Sequence, residues 1–182
     1  MKQKSSYLFS AKNLAFSALF AALCCIATML IIIPLPNGYF NAGDVFVLLA
    51  GWFLGPLFGA ISAGVGSMLA DIISGFAIYA PATFIIKALV AFCAFEICAL
   101  LKKLMRKQSL DLLCRLVSAV LAESVMIIGY FLFESHLYGF AGGALSLLGN
   151  LTQGCICTIL GVSLCCALTQ IKGIKKLFPL LN

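Results

Sequence analysis

The sequence predicts an all-helical membrane protein, a single bundle of six transmembrane helices with both termini in the cytoplasm. Three observations support this fold class. The chain of 182 residues is 63% hydrophobic and 10% charged, whereas a soluble domain is typically about 45–50% apolar and about 25% charged. Six apolar segments follow one another, and the basic residues cluster between them as the positive-inside rule requires. The length suits a single domain over residues 1–182.

Each predicted helix corresponds to one apolar segment, because a membrane span needs about 20 predominantly apolar residues. The segments cover, in order, residues 13–33, 43–55, 57–75, 80–101, 112–134 and 143–171. The first is longer than the apolar part of a signal peptide, so we expect it to stay in the mature protein. The second is short for a span. One long helix over residues 43–75, with a Gly-Pro interruption, is the alternative and would give five spans.

The distribution of Lys and Arg decides between the two counts. With five spans, the basic cluster at residues 102–107 would lie outside the cell. With six spans, all basic residues except Lys87 face the cytoplasm, as the positive-inside rule requires. These residues are Lys2, Lys4, Lys12, Lys102, Lys103, Arg106, Lys107, Arg115, Lys172, Lys175 and Lys176. We therefore predict six spans, the second of which is short or tilted.

Polar residues inside the predicted spans gather in the outer half of the bundle. Lys87 belongs to the fourth span, Glu123 to the fifth, and Asn150 and Gln153 to the sixth. At about 1.5 Å per residue, they lie roughly 10–16 Å below the outer ends of their helices. A charged residue at the centre of a span costs about 2.5–3.5 kcal/mol on insertion scales. Such residues usually face the bundle interior and serve function.

Helical spacing places these polar residues on shared faces. Glu123 and Tyr130 are seven residues apart on the fifth span, and Asn150 and Gln153 are three apart on the sixth. Together with Lys87, they predict one outward-facing pocket for a small heteroaromatic or polyhydroxylated molecule. The alternative is a buried structural ion pair between Lys87 and Glu123, with amides that only join helices.

The first predicted outer loop, residues 34–44, contains two prolines and two glycines. It cannot be a regular helix, because proline lacks a backbone N–H and clashes with the preceding turn. We expect Tyr39 and Asn41 to form a lid over the pocket. The alternative is an ordinary interfacial loop with an aromatic anchor. Residues 74–81, which include Tyr79, are the candidate for an opposing flap.

Several motifs are absent from the sequence, and their absence limits the function. Without a Walker A motif, the chain offers no phosphate-binding loop for ATP. Without catalytic motifs such as Gly-x-Ser-x-Gly or His-Glu-x-x-His, we expect no enzyme activity and no metal or cofactor bound by this chain. The nine cysteines lie mostly in apolar runs and are expected to pack as small hydrophobes. Basic and aromatic residues are not interleaved as in proteins that bind nucleic acid.

Four stretches of sequence resemble one known family. They are GYFNAGD (38–44), LGPLFGAISAGVGSMLADIISGFAIYAPATFIIKAL (54–89), ESVMIIGYFLFE (123–134) and NLTQG (150–154). They resemble the substrate-binding S components of energy-coupling-factor (ECF) transporters, above all the subgroup assigned to riboflavin, pyridoxine or hydroxymethylpyrimidine. The block over residues 38–89 is the most specific part, and the likeness covers nearly the whole chain.

The resemblance implies a function and a set of partners. Such S components are six-helix bundles of the bacterial plasma membrane that bind a vitamin near the outer surface. They dock onto a transmembrane coupling subunit, which is carried by two cytosolic ATPase subunits that use ATP. The ligand-binding positions that the family implies here are Tyr39, Asn41, Lys87, Glu123, Tyr130, Asn150 and Gln153. The family's docking stripe of small residues on the first span matches Ala18 and Ala22, with Ala15 one place off the strict repeat.

Other functions stay open at the level of sequence. A stand-alone ion-coupled carrier of a small polar metabolite would use Glu123 or Asp71 as a proton relay. An intramembrane enzyme would need a metal or nucleophile constellation that the sequence lacks. A purely structural membrane subunit would leave the outer polar residues without a role.

Overall fold

The protein is described from a computed structural model, over residues 10–31, 33–34, 39–105 and 110–181. The basic residues Lys2, Lys4, Arg106 and Lys107 lie outside these ranges. The elements in chain order are α1 (Ala11–Leu30), β1 (Ile33–Pro34), β2 (Tyr39–Phe40), α2 (Gly43–Ile73), α3 (Ala80–Met105), α4 (Asp111–Thr169), α5 (Lys172–Leu177) and a final 3₁₀ turn (Pro179–Leu181). The all-helical class is thereby confirmed, apart from one two-stranded ribbon.

Four of the described helices, α1 to α4, are long and apolar enough to cross a membrane. Their most apolar windows have mean hydropathies of 2.0 to 2.3. Many large apolar side chains on these helices face outward, for example Leu104 and Leu148. In water such a surface would be unfavourable, but in lipid it is matched to the solvent. The structure therefore supports the interpretation of the composition as that of a membrane protein.

Helix α2 is broken at Gly55, which has φ 83° and ψ −175°. This left-handed φ costs glycine little because it has no Cβ. Pro56 follows and can begin a new helix, since its missing N–H is not needed in a first turn. A Cβ placed on Gly59 would lie 2.5 Å from the carbonyl oxygen of Ala50. Nine residues of straight helix span about 13.5 Å, so the chain reverses at Gly55.

Helix α4 reverses in the same way at Gly139, where φ is 78°. Beyond this point, the Ser146 hydroxyl donates a hydrogen bond to the Glu134 carboxylate. Further along, a Cβ on Gly154 would lie 3.3 Å from the Cβ of Glu123. The parts of α4 before and after Gly139 therefore run antiparallel and in contact.

The segment between α1 and α2 is a short antiparallel hairpin rather than a helix. Ile33 pairs with Phe40, and Pro34 pairs with Tyr39. Helix α1 ends at Leu30, three residues before the predicted end of the first span. The hairpin leads directly into α2 and holds Tyr39 at one end of the bundle.

At the opposite end of the bundle, the last residues of the described chain close the interior. The Phe178 ring lies 4.7 Å from the ring of Phe16 and 5.0 Å from that of Phe53. The Lys12 ammonium donates to the carbonyl oxygen of Leu177 at 3.1 Å. The 3₁₀ turn that follows packs against α2, and its Leu181 carbonyl oxygen accepts from Lys102 on α3 and from Arg115 on α4.

We call the charged group at this end the inner cluster; it comprises Lys102, Asp111, Arg115 and the carbonyl group of Leu181. Arg115 donates to Asp111 Oδ2 at 2.9 Å and to the Leu181 carbonyl oxygen at 3.3 Å. Its guanidinium also lies 5.8 Å from the Trp52 ring. Lys102 contacts Asp111 Oδ1 at 2.5 Å. Lys102 and Arg115 were both predicted to lie on the cytoplasmic side, and the structure brings them together.

Candidate ligand-binding site

A cavity of about 30 Å³ lies at the end of the bundle beneath the hairpin. This volume is small for a ligand site, since such pockets typically measure about 300–1,000 Å³. Its lining is dominated by polar and aromatic side chains from the hairpin, α2, α3 and both halves of α4, together with the turn before α3. The lining residues are Tyr39, Asn41, Asp71, Tyr79, Thr83, Tyr130, Glu134, Asn150 and Gln153.

Two hydrogen bonds fasten the hairpin over this cavity. The Tyr39 hydroxyl donates to Asp71 Oδ1 at 2.5 Å, and the Tyr39 ring lies 4.7 Å from that of Phe76. The Asn41 backbone N–H donates to Gln153 Oε1 at 2.9 Å. The Asn41 side chain in turn accepts from the Gly43 N–H, also at 2.9 Å, where α2 begins. Tyr39 and Asn41 therefore lie over the cavity, and their role as a lid stays a prediction.

A charged group lies beneath the lid, and we call Asp44, Lys87 and Gln153 the outer cluster. The Lys87 ammonium lies 2.6 Å from Asp44 Oδ1, and Gln153 Nε2 donates to Asp44 Oδ2 at 2.5 Å. Lys87 also lies 5.2 Å from the centroid of the Tyr130 ring, within the range of a cation–π contact. All three members are buried. The alternative of a Lys87–Glu123 ion pair is wrong in its partner, because Asp44 at the start of α2 takes that position.

The Glu123 carboxylate lies behind the cavity and not in its lining. Both of its oxygens are buried, and neither has a hydrogen-bond partner within the described ranges. Gly154 provides the space for this side chain on the facing half of α4, since its Cβ position is 3.7 Å from Glu123 Oε2. A buried carboxylate without partners is costly. A ligand that donated a hydrogen bond to Glu123 would therefore remove an unfavourable contribution.

Three atoms of the lining share this property: Asp71 Oδ2, Tyr79 Oη and Asn150 Nδ2. Each is buried and makes no hydrogen bond of good geometry within the part of the chain that the structure describes, although Glu134 lies near the Tyr79 hydroxyl and Thr83 lies near Asp71. Unpaired buried polar groups are rare in folded proteins, and each calls for an explanation. A ligand in the cavity would supply partners for all three.

Of the seven predicted ligand-binding residues, the structure places five in the lining: Tyr39, Asn41, Tyr130, Asn150 and Gln153. Lys87 and Glu123 lie directly behind them.

Four lining residues were not among the predicted ligand-binding set: Asp71, Tyr79, Thr83 and Glu134. Thr83 approaches the Tyr130 hydroxyl at 2.9 Å. Each of the four carried a signal in the sequence, because each is a polar residue near the outer end of a predicted span or in the candidate flap.

The predicted docking stripe lies on the outside of α1. Ala15, Ala18 and Ala22 are all exposed, whereas Cys24 and Thr28 on the same helix are buried against the bundle. The stripe therefore does not serve packing within this chain.

As for metals, no group of three or more His, Cys, Asp or Glu side chains within the described ranges is arranged to hold an ion.

Comparisons with known proteins show the family and the fold. The family model described as the ECF-type riboflavin transporter S component matches residues 8–170. A protein of Pyrococcus woesei, known only as an uncharacterised protein in a "gap 3'region", is 32% identical over 138 residues, or 75% of this chain and 87% of that protein.

Two solved structures share the fold. The S component of a bacterial ECF transporter superposes with a TM-score of 0.67 at 24% identity, over 87% of this chain and 96% of that one. The S component for biotin from an ECF-type ABC transporter superposes with a TM-score of 0.60 at 23% identity, over 98% and 99%.

Proposed function

Because the chain belongs to the family of ECF-type riboflavin transporter S components, we propose that it captures a small water-soluble vitamin or precursor at the outer face of the cell membrane. The candidate ligands are of the pyridoxine, hydroxymethylpyrimidine or riboflavin type. The observation that carries this proposal is the cavity beneath the hairpin, where rings, amides and carboxylates converge. Convergent polar groups in a buried pocket are typical of small-molecule sites.

The proposed topology has six spans with both termini in the cytoplasm of a bacterial cell. The chain reversals at Gly55 and Gly139 support it, since each divides a long helix into two antiparallel parts. The contacts of Lys12, Lys102 and Arg115 with residues 177–181 support a single cytoplasmic end. The cavity is then at the outer face, where a vitamin arrives.

The proposed transport cycle needs partners. This chain binds the vitamin, a transmembrane coupling subunit receives it, and two cytosolic ATPases supply the energy from ATP. The exposed stripe formed by Ala15, Ala18 and Ala22 is the proposed contact with the coupling subunit, since small residues let helices approach closely. The proposed role of this chain is capture and delivery, without a catalytic step of its own.

Native mass spectrometry of the detergent-purified protein tests the capture function. Denaturation would release any bound small molecule for identification. We expect one vitamin or precursor per chain. A protein that carries no such molecule and also fails to bind a panel of vitamins would contradict the proposal.

Uptake in reconstituted vesicles tests the energy source. We expect accumulation only when the coupling subunit and both ATPases are present with ATP. Accumulation by this chain alone, driven by an ion gradient, would identify it as the stand-alone carrier instead.

The docking stripe can be tested separately from the site. Ala18→Leu places a larger side chain on the proposed contact surface, so we expect uptake to fall at least tenfold with unchanged vitamin binding. The matched control is Leu19→Met on the same helix, which conserves volume outside the stripe. Unchanged uptake by Ala18→Leu would exclude this surface from docking.

A further inference from the structure

The cavity lining is acidic. Among its side chains are the carboxylates of Asp71 and Glu134, and none of its residues is Lys, Arg or His. A carboxylate of a ligand placed among these groups would find no cation in the lining, and any ionised lining carboxylate would repel it in a poorly solvated site. The lining therefore discriminates by charge, and it disfavours anions.

The nearest cation is already engaged. Lys87 is 2% exposed, and its ammonium lies 2.6 Å from Asp44 Oδ1. The other oxygen of Asp44 accepts from Gln153. Because Asp44 already balances the charge of Lys87, an anionic ligand drawn to Lys87 would add a second negative charge to a buried pair that is neutral, a change that is unfavourable. The positive charge is thus neutralised within the protein and is not offered to the cavity.

The unpaired atoms determine which hydrogen-bond donors and acceptors a ligand needs. Asp71 is 4% exposed, and its Oδ2 lacks a partner within the described residues. Its Oδ1 already accepts from Tyr39, so the free oxygen needs a second donor. Tyr79 Oη and Asn150 Nδ2 are unpaired as well. A ligand that donates N–H to Asp71 and accepts from Asn150 would complete both.

The rings around the cavity favour a flat and electron-poor ligand. Tyr39, Tyr79 and Tyr130 all contribute to the lining. The faces of tyrosine rings attract cations, and aromatic pairs prefer offset or edge-to-face contact. A nitrogen heterocycle can contact the tyrosine rings and form hydrogen bonds with the unpaired polar atoms at the same time.

The size of the cavity sets a further limit. At about 30 Å³, it must enlarge for any vitamin, and the Tyr39–Asp71 hydrogen bond closes it on the hairpin side. A single ring needs a smaller displacement of the hairpin than the three fused rings of a flavin.

From these observations, and resting on the proposed capture function, we propose that the ligand is a single-ring nitrogen heterocycle, neutral or cationic at pH 7, that donates an N–H or O–H to Asp71. Aminopyrimidines and pyridines with an amino or hydroxymethyl group belong to this class. Flavins and carboxylate-bearing vitamins do not. Asp71 is then the residue that determines specificity.

Calorimetric titration of the purified full chain, freed of bound molecules, tests the proposal. The compounds are hydroxymethylpyrimidine, pyridoxamine, pyridoxine, 4-pyridoxic acid, riboflavin and biotin. Pyridoxamine, pyridoxine and 4-pyridoxic acid differ chiefly in one substituent, which is an amine, a hydroxyl or a carboxylate. We expect the tightest binder to be one of the first three compounds, and 4-pyridoxic acid to bind at least 100-fold more weakly than it.

Variants then locate the donor contact. For the tightest binder, Asp71→Asn should lower the affinity at least tenfold, and Tyr79→Phe should lower it about threefold to tenfold. Glu96→Gln is the matched control, because Glu96 is an exposed carboxylate outside the cavity. It should leave the affinity unchanged. Elution volume and melting temperature establish that each variant is folded.

Several outcomes would overturn the inference. Tightest binding of riboflavin, biotin or 4-pyridoxic acid would exclude the proposed ligand class while leaving vitamin capture intact. Wild-type affinity in both Asp71→Asn and Tyr79→Phe would exclude the specificity role. Failure of every compound to bind, with no molecule released in mass spectrometry, would overturn the capture function as well.

Discussion

The two ends of the bundle both bury charge, but they differ in how completely their buried polar atoms are paired. In the inner cluster, Arg115 has the Asp111 carboxylate, the Leu181 carbonyl group and Cys165 Sγ as acceptors, and Asp111 also contacts Lys102. At the outer end, the Lys87–Asp44 pair is satisfied, yet the Glu123 carboxylate beside it has no partner among the described residues.

The comparison teaches that burial of charge does not by itself indicate a binding site. A fully paired cluster is explained by the fold, since each buried polar group has found its partner. Unpaired atoms grouped around a cavity are not explained by the fold, and they indicate a ligand. This criterion separates the two ends of the same bundle, although both contain a buried cation.

The largest expected effect is the loss of stability when the ion pair between Lys87 and Asp44 is broken. Asp44→Ala leaves Lys87 buried without a counterion, which should lower the free energy of unfolding by about 3–5 kcal/mol. Chemical unfolding in detergent measures the loss. The double variant Lys87→Met with Asp44→Leu is the control and should recover most of the stability. An Asp44→Ala protein as stable as the wild type would show that the pair is not structural.

A smaller loss of stability is expected when a residue of the inner cluster is changed. Arg115→Met removes the hydrogen bonds of a charged donor, but the apolar side chain fills much of the same volume and Asp111 keeps Lys102, so we expect a total loss of about 1.5–3 kcal/mol. We expect reduced stability in unfolding experiments and unchanged vitamin affinity in titrations of the folded protein. A tenfold loss of affinity would contradict the assignment of this cluster to structure alone.

For Glu123→Ala we expect the opposite pattern, with stability kept and vitamin affinity reduced. It removes a buried carboxylate that has no described hydrogen-bond partner, so stability should be equal or higher. Vitamin affinity should fall tenfold or more, equivalent to about 1.4 kcal/mol, if the ligand uses this group. Titration and thermal unfolding of the same sample separate the two effects. Wild-type affinity would remove Glu123 from the site.

The smallest effect is expected for Tyr130→Phe. The ring beside Lys87 remains, and only the hydrogen bond between the hydroxyl group and Thr83 is lost, which contributes about 0.5–1.5 kcal/mol. We expect the free energy of unfolding to fall by that amount and the affinity for the vitamin to change little. Thr83→Val removes the same bond from the other side and should have a similar effect. A tenfold loss of affinity for Tyr130→Phe alone would indicate direct contact between the hydroxyl group and the ligand.

The sequence was sufficient to predict the class of fold and the positions of the chain reversals. The Gly55–Pro56 pair lies at the predicted boundary between two spans, and the break at Gly139 falls within the predicted outer loop at 134–143. Depth in the membrane follows from counting residues along a helix. The grouping of the polar residues at one end of the bundle can therefore be predicted from their positions in the sequence alone.

The partner of Lys87 could not be predicted in this way. Asp44, Asp71 and Glu123 all lie in the outer half, and counting residues does not determine how each helix is rotated about its axis. That rotation depends on how the helices pack. Gly51, for example, lies so close to the Ala91 carbonyl group that a Cβ there would clash with it. The same contact brings the beginning of α2 against α3 and so places Asp44 beside Lys87.

The bond between Arg115 and the Leu181 carbonyl group has a consequence for biosynthesis. The two residues are separated by 66 positions, and a ribosome adds about 5–20 residues per second. For several seconds, the Arg115 guanidinium therefore lies in the growing chain while the Leu181 carbonyl group has not been synthesised. A chain interrupted before residue 177 would thus expose an unfinished cationic surface to the enzymes that survey newly inserted proteins.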